Sequence, residues 1–152
     1  TPFVVLLVAI MPVTKFLIGT RIGATAAIVP LTVNAIPLLT RLFENSLLDT
    51  GNGILEAALA MGATPLQLVT KFILPESLGS VILSLTTGIV GLIGASAMAG
   101  YVGGGGIGAL VLNYGYNRFN FTLMYSLVVV LIIITQCIQS LGNFFAGKAR
   151  RK

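Results

Sequence analysis

The sequence predicts an all-α integral membrane protein: 56% of its 152 residues are hydrophobic, only 9% are charged, and the apolar residues gather in runs about as long as a bilayer is thick. Soluble domains carry roughly a quarter charged residues, so lipid is the expected solvent for this chain. The net charge of +5 and pI near 9.8 do not point to nucleic acid. Lys148, Arg150, Arg151 and Lys152 crowd the last positions after a long apolar run, which is the pattern of a membrane flank. With Cys137 as the single cysteine and no histidine, neither a disulfide framework nor a Cys/His metal site can be built.

The chain enters its first apolar run at once. Only Phe3 to Thr14 precede Lys15, whereas a spanning helix needs roughly 20 apolar residues, so residues 1–18 are expected to be the tail of a longer helix. A signal peptide is the competing reading, but a basic leader region and a small-residue cleavage site are both missing. Three full spans are expected at about 22–43, 78–100 and 121–145, joined by segments 44–77 and 101–120. Placing the basic C-terminus in the cytoplasm puts 44–77 inside and 101–120 outside by alternation. Arg41 and Lys71 then join the four terminal basic residues inside, against Lys15, Arg21 and Arg118 outside.

Within the span at 22–43, Pro30 and Pro37 lie nearly two turns apart and distort one face. Asn34 sits between them, and an amide inside lipid requires a protein partner or a wet cavity. Bonding to a neighbouring helix and lining a transport path are both open for it. The span at 78–100 carries Ser80, Ser84, Gly88, Gly91, Ala95 and Ala99 at helical steps, a stripe of small side chains along which backbones approach closely. The last span ends in a polar stripe of Gln136, Gln139, Ser140 and Asn143, accounted for by buried or headgroup contacts.

Segment 44–77 is the informative one. Residues 54–61 are rich in Ala and Leu, and Gly62 follows where a left-handed residue would end a helix. Thr64, Pro65 and Gln67 fit an N-cap, an N1 proline and an N3 glutamine, a capping box that opens a second helix, which Pro75 is expected to close. These helices carry Leu55, Ala58, Leu59, Leu66, Val69 and Phe72, apolar groups that need cover from the chain's own spans or from a cytoplasmic partner.

The run EAALAMGATPLQLVTKFILP resembles the EAA loop of the permease subunits of bacterial ATP-binding-cassette (ABC) importers. Glu56, Ala57, Ala58, Gly62, Leu74 and Pro75 match its pattern in register, and Phe72 departs from it where the pattern has Ile. PFVVLL near the start, GTRIGATAAIVPLTVNAIPLLTR and SAMAGYVGGGGIGALVLNYGY extend the likeness, over nearly the whole chain, to the permeases of methionine importers. The resemblance implies a type I importer permease fold in the bacterial cytoplasmic membrane, with further helical sequence before Thr1 and five helices in all. It implies a homodimer of permease subunits, a cytoplasmic ATPase dimer that binds the ATP and Mg, and an extracytoplasmic substrate-binding protein or lipoprotein. Glu56 would then contact the ATPase, Ala57 and Ala58 would allow close approach, and Gly62 would allow the turn. Without the motif, Glu56 is a solvated acid near a helix start, favourable there by about a few tenths of a kcal/mol. Asn34, Ser84, Gly88 and Gly91 are the candidates for pathway lining or helix packing.

Other signals are weaker. Gly103, Gly105 and Gly108 satisfy GxGxxG without the strand and βαβ context of a dinucleotide site, and no GxxxxGK[ST] loop is present, so ATP is not expected on this chain. The glycine run is expected to be a tight or mobile external connection. Glu44, Asp49, Glu56 and Glu76 all fall in 44–77 and form no catalytic constellation. A permease for another small amino acid, a passive channel, a structural membrane subunit and a membrane enzyme are the rival readings.

Overall fold

The computed structural model describes residues 2–100 and 103–150. Thr1, Tyr101, Val102, Arg151 and Lys152 lie outside the described residues, and with them two of the terminal charges counted above. The described residues are helical in the order α1 (Phe3–Ile18), α2 (Ala24–Leu48), α3 (Asn52–Ala60), α4 (Pro65–Gln67), α5 (Leu74–Ala99), α6 (Gly106–Leu110) and α7 (Phe121–Ala149). Among the described residues, three helices are long and apolar enough to cross a membrane: Ala24–Leu48, Pro65–Ala99 and Phe121–Ala149. None of the residues in the apolar window of α7 is buried within the chain, so that surface is left for lipid or for other protein.

The helices overrun the expected spans. α2 continues to Leu48 and α7 to Ala149, and the connection expected at 101–120 contains α6 followed by a wide π-helical turn, Val111–Tyr116. Pro75 does not close the second loop helix, contrary to expectation. α4 passes through a π-helical segment, Leu68–Ile73, directly into α5, so that Pro65–Ala99 is one rod. Proline lacks an N–H and its ring clashes with the carbonyl four residues back. Widening the turn ahead of it, with the Leu74 N–H donating to the Val69 carbonyl five residues back, accommodates both defects without breaking the helix. α2 likewise stays helical through Pro30 and Pro37.

The chain forms two compact units. The first comprises Thr1–Pro37 and Ile89–Cys137. Its core is Phe3 and Leu7 of α1, Ala27 of α2 and Ala95 and Ala99 of α5, with Met11 and Leu31 packed against them. The small side chains of α5 admit the larger ones of α1, as the stripe requires. After α5 the chain turns back tightly: the Gly104 N–H donates to the Ala99 carbonyl at 3.0 Å, and Gly108 lies against the backbone of Ala97. Asn120 then starts α7, its Oδ1 accepting the Leu123 N–H at 3.2 Å.

The second unit comprises Leu38–Gly88 and Ile138–Lys152. Ser46 of α2 clasps α5: its hydroxyl lies 3.2 Å from the Ser80 carbonyl and 2.5 Å from the Ser84 hydroxyl. About one turn along α5 from Ser84, Gly88 meets the Leu39 side chain of α2. α7 closes on α5 where Gly142 meets Thr86, a contact that leaves no room for a Cβ. Gly147, on the same helix, has open space around it. Gly142→Ala is therefore expected to destabilise the full-length protein by about 1–3 kcal/mol through overpacking. Gly147→Ala should be neutral or stabilising by up to about 1 kcal/mol, the helix propensity gained. Thermal unfolding in detergent measures both, and equal effects would contradict the packing described.

Candidate functional site

The elbow between α2 and the Pro65–Ala99 rod is built by local rules. α3 ends in a Schellman motif: Gly62 has φ of 77°, its N–H donates to the Leu59 carbonyl at 2.9 Å, and the Ala63 N–H donates to the Ala58 carbonyl at 3.1 Å. Two residues on, Thr64 caps the rod. Its backbone N–H donates to Gln67 Oε1 at 3.0 Å, and its Oγ1 accepts the Gln67 N–H at 3.4 Å, a complete capping box with Pro65 in the first turn. The left-handed glycine and the box fix the angle at which α3 meets the rod, and α3 packs on the wide turn Leu68–Ile73.

This packing divides the apolar groups of the elbow. Ala58 is completely buried, and Leu55 and Phe72 are half-buried, so the chain covers them itself. Leu59, Leu66 and Val69 remain exposed, at 59%, 74% and 46%, together with Met61. Glu56 and Ala57 stand on the exposed part of α3 beside them. Ala58 thus gives close approach of α3 to its own chain, whereas Ala57 is the small residue on the open surface. Leu74 and Pro75 are exposed on the rod. Glu44 belongs to the end of α2, where it pairs with Arg41 at 2.9 Å on the surface, a pair of little energetic weight.

The remaining candidates are scattered. Ser84 and Gly88 take part in the α2–α5 packing of the second unit. Asn34 is half-buried and Gly91 exposed, both in the first unit. That unit also has an open groove of about 370 Å³, in which Thr32 and Ser96 are polar residues among Leu31, Ile89 and Ile93. Both hydroxyls bond back to helix carbonyls, Thr32 to Ile28 at 2.9 Å and Ser96 to Ile93 at 2.8 Å. Gln136, Gln139, Ser140 and Asn143 are all exposed on α7, so contacts outside the described chain must satisfy them in lipid. Among the described residues no three His, Cys, Asp or Glu side chains gather as a metal site. Sequence reasoning did not single out Ser46, whose role appears only once α2 and α5 are side by side.

Comparison with known proteins gives a family and a fold. The family described as binding-protein-dependent transport system inner membrane component matches residues 1–151. The probable D-methionine transport system permease protein MetI of Vibrio cholerae is 54% identical over 142 residues, covering 93% of this chain and 63% of that protein. Its Haemophilus influenzae counterpart of the same name is 44% identical over 147 residues, covering 97% and 69%. A solved chain of the MetNI methionine ABC transporter, in inward-facing conformations, superposes with a TM-score of 0.89 at 44% identity, covering 98% of this chain and 69% of its own length. This chain thus spans under two thirds of the length of the Vibrio relative. The ABC importer permease fold expected from the sequence is the fold observed. A match across residues 1–151 and a shared membrane fold establish that the chain belongs to the family of binding-protein-dependent transport system inner membrane components.

Proposed function

We propose that the full-length protein is the permease subunit of an ATP-driven importer that carries methionine across the bacterial cytoplasmic membrane. The observation that carries this reading is the elbow: an exposed acid, Glu56, beside uncovered Leu59, Met61 and Leu66, fixed to a spanning rod by two capping motifs. Apolar side chains held out in this way gain by docking into a partner's groove. The partner is a separate ATPase, two copies of which bind ATP and Mg and seat on the elbows of two permease subunits. An extracytoplasmic binding protein delivers the cargo. The names of the relatives support methionine as that cargo.

The sidedness follows from the same reading. The elbow and the basic C-terminus, with Lys148 and Arg150 beyond the apolar run, face the cytoplasm, as the excess of basic residues favours. Nucleotide-driven closure of the ATPases selects one arrangement of the spans, and release selects the other. The bound nucleotide supplies the free energy. This chain's residues transmit motion: Glu56 and Ala57 at the contact, Gly62 at the bend, and Leu74 and Pro75 where the rod enters the span.

Reconstituted with its ATPase, the full-length subunit carrying Glu56→Lys is expected to lose about tenfold or more of its ATP-driven methionine uptake, with thermal stability unchanged because the side chain is exposed. Uptake at the unsubstituted level removes Glu56 from the coupling surface. Gly62→Val places a β-branched residue at φ of 77° and should cost about 1–3 kcal/mol of stability. An unfolding temperature equal to that of the parent would show that the turn is not held as described.

A further inference from the structure

α7 turns one side to its own chain and leaves the other uncovered. Met124, Leu127, Leu131 and Thr135 are half-buried along the inner side. The outer side carries Ser126, Val129, Ile133, Gln136, Ser140 and Asn143, all exposed. These residues follow one another at steps of three, four, three, four and three, the period of a seam along which one helix packs on another. Four of the six are polar, although α7 runs mostly through valine, leucine and isoleucine until Thr135. Among the described residues none bonds to the Gln136 amide.

Depth decides what this side can face. α7 has 29 residues, and a hydrocarbon core of about 30 Å takes about 20 of them at about 1.5 Å each. Wherever that window falls within the helix, Gln136 lies at least about four residues, or about 6 Å, inside it. In the shallowest placement the nearer edge is toward Lys148, and the side chain leans the other way, toward the start of the helix. An amide left unpaired at that depth is costly, so lipid is excluded as its neighbour. We propose that α7 packs in parallel on α7 of a second copy, with Gln136 bonded to its own counterpart and Val129 and Ile133 interlocked beside it. Two copies inserted the same way are related by a two-fold axis along the membrane normal, so like residues meet at equal depth. An amide both donates and accepts, so it is complementary to itself; any other helix would have to bring a polar group of its own to that level. Polar groups at seam positions also fix the register of the pair. The inference rests on the two paired permease subunits of the proposed function and names the surface that joins them.

Disulfide cross-linking of the full-length protein in membranes, with Cys137→Ser to remove the native thiol, tests the seam. Ile133→Cys should link two copies on mild oxidation, whereas Ile134→Cys should not, because Ile134 lines a cavity of its own chain with Ala27 and Gly104. Gln136→Leu should raise the dissociation constant of the pair in liposomes about three- to tenfold, the factor one interhelical hydrogen bond supplies, as read by energy transfer between labelled subunits on dilution with lipid. Gln136→Asn should recover part of that loss. Pairing as tight in Gln136→Leu as in the parent overturns the proposal. So does labelling of Ile133→Cys by a water-soluble thiol reagent in the paired protein, which would show a water-filled path along this side. A protein with the mass of a pair that forms no Ile133 link overturns the seam and leaves the paired-subunit reading standing, whereas a protein with the mass of a monomer overturns both.

Discussion

A bilayer offers no hydrogen-bond partner to a backbone amide, and the architecture of this chain follows from that shortage. In the three helices long and apolar enough to span, several hydroxyls turn back on their own backbone: Thr32 to Ile28, Thr86 to Ile82, Ser126 to Thr122 and Thr135 to Leu131. Even Pro75, which removes a donor, leaves the rod intact because a wide turn re-routes the bonds ahead of it. With these hydroxyls settled inside their own helices, helix–helix affinity there rests on close approach. Gly88 against Leu39 and Gly142 against Thr86 provide it, and the Ser46–Ser84 pair adds a cross-helix bond where the backbones come near.

The elbow obeys different rules. Its angle is set by a left-handed glycine and a capping box, each a local device, and its packing by the burial of Ala58. What remains exposed is amphipathic: one carboxylate among leucine and methionine side chains. A helix of nine residues would be marginal alone, so the chain's own contacts hold α3 in place. The helix from Pro65 to Ala99 continues from it without a break.

Much of this was legible in the residues. Composition and apolar run length fixed the all-α membrane class, and the Thr64, Pro65 and Gln67 spacing anticipated the capping box, because these are near-neighbour effects. The motif from Glu56 to Pro75 pointed to the family. Three features were not legible. Proline normally ends a helix, and no periodicity encodes the inserted turn that lets Pro75 remain inside one. The motif names Ala57 and Ala58 as a pair, but which of them faces inward depends on how α3 lies on Leu68–Ile73. A polar cavity in the second unit gathers residues from positions 46–50, 75–80 and 149–150, which nothing in the linear order brings together.

The central proposal is that the elbow stands in the cytoplasm. Cysteine labelling tests it directly, in the full-length protein with Cys137→Ser to remove the native thiol. A single cysteine at Leu59, labelled by a membrane-impermeant thiol reagent, should react in inside-out vesicles and stay unreactive in intact cells, with protection when the ATPase is bound. A cysteine at Asn117 should show the reverse. Reaction of the Leu59 position from the outside of intact cells would contradict the account.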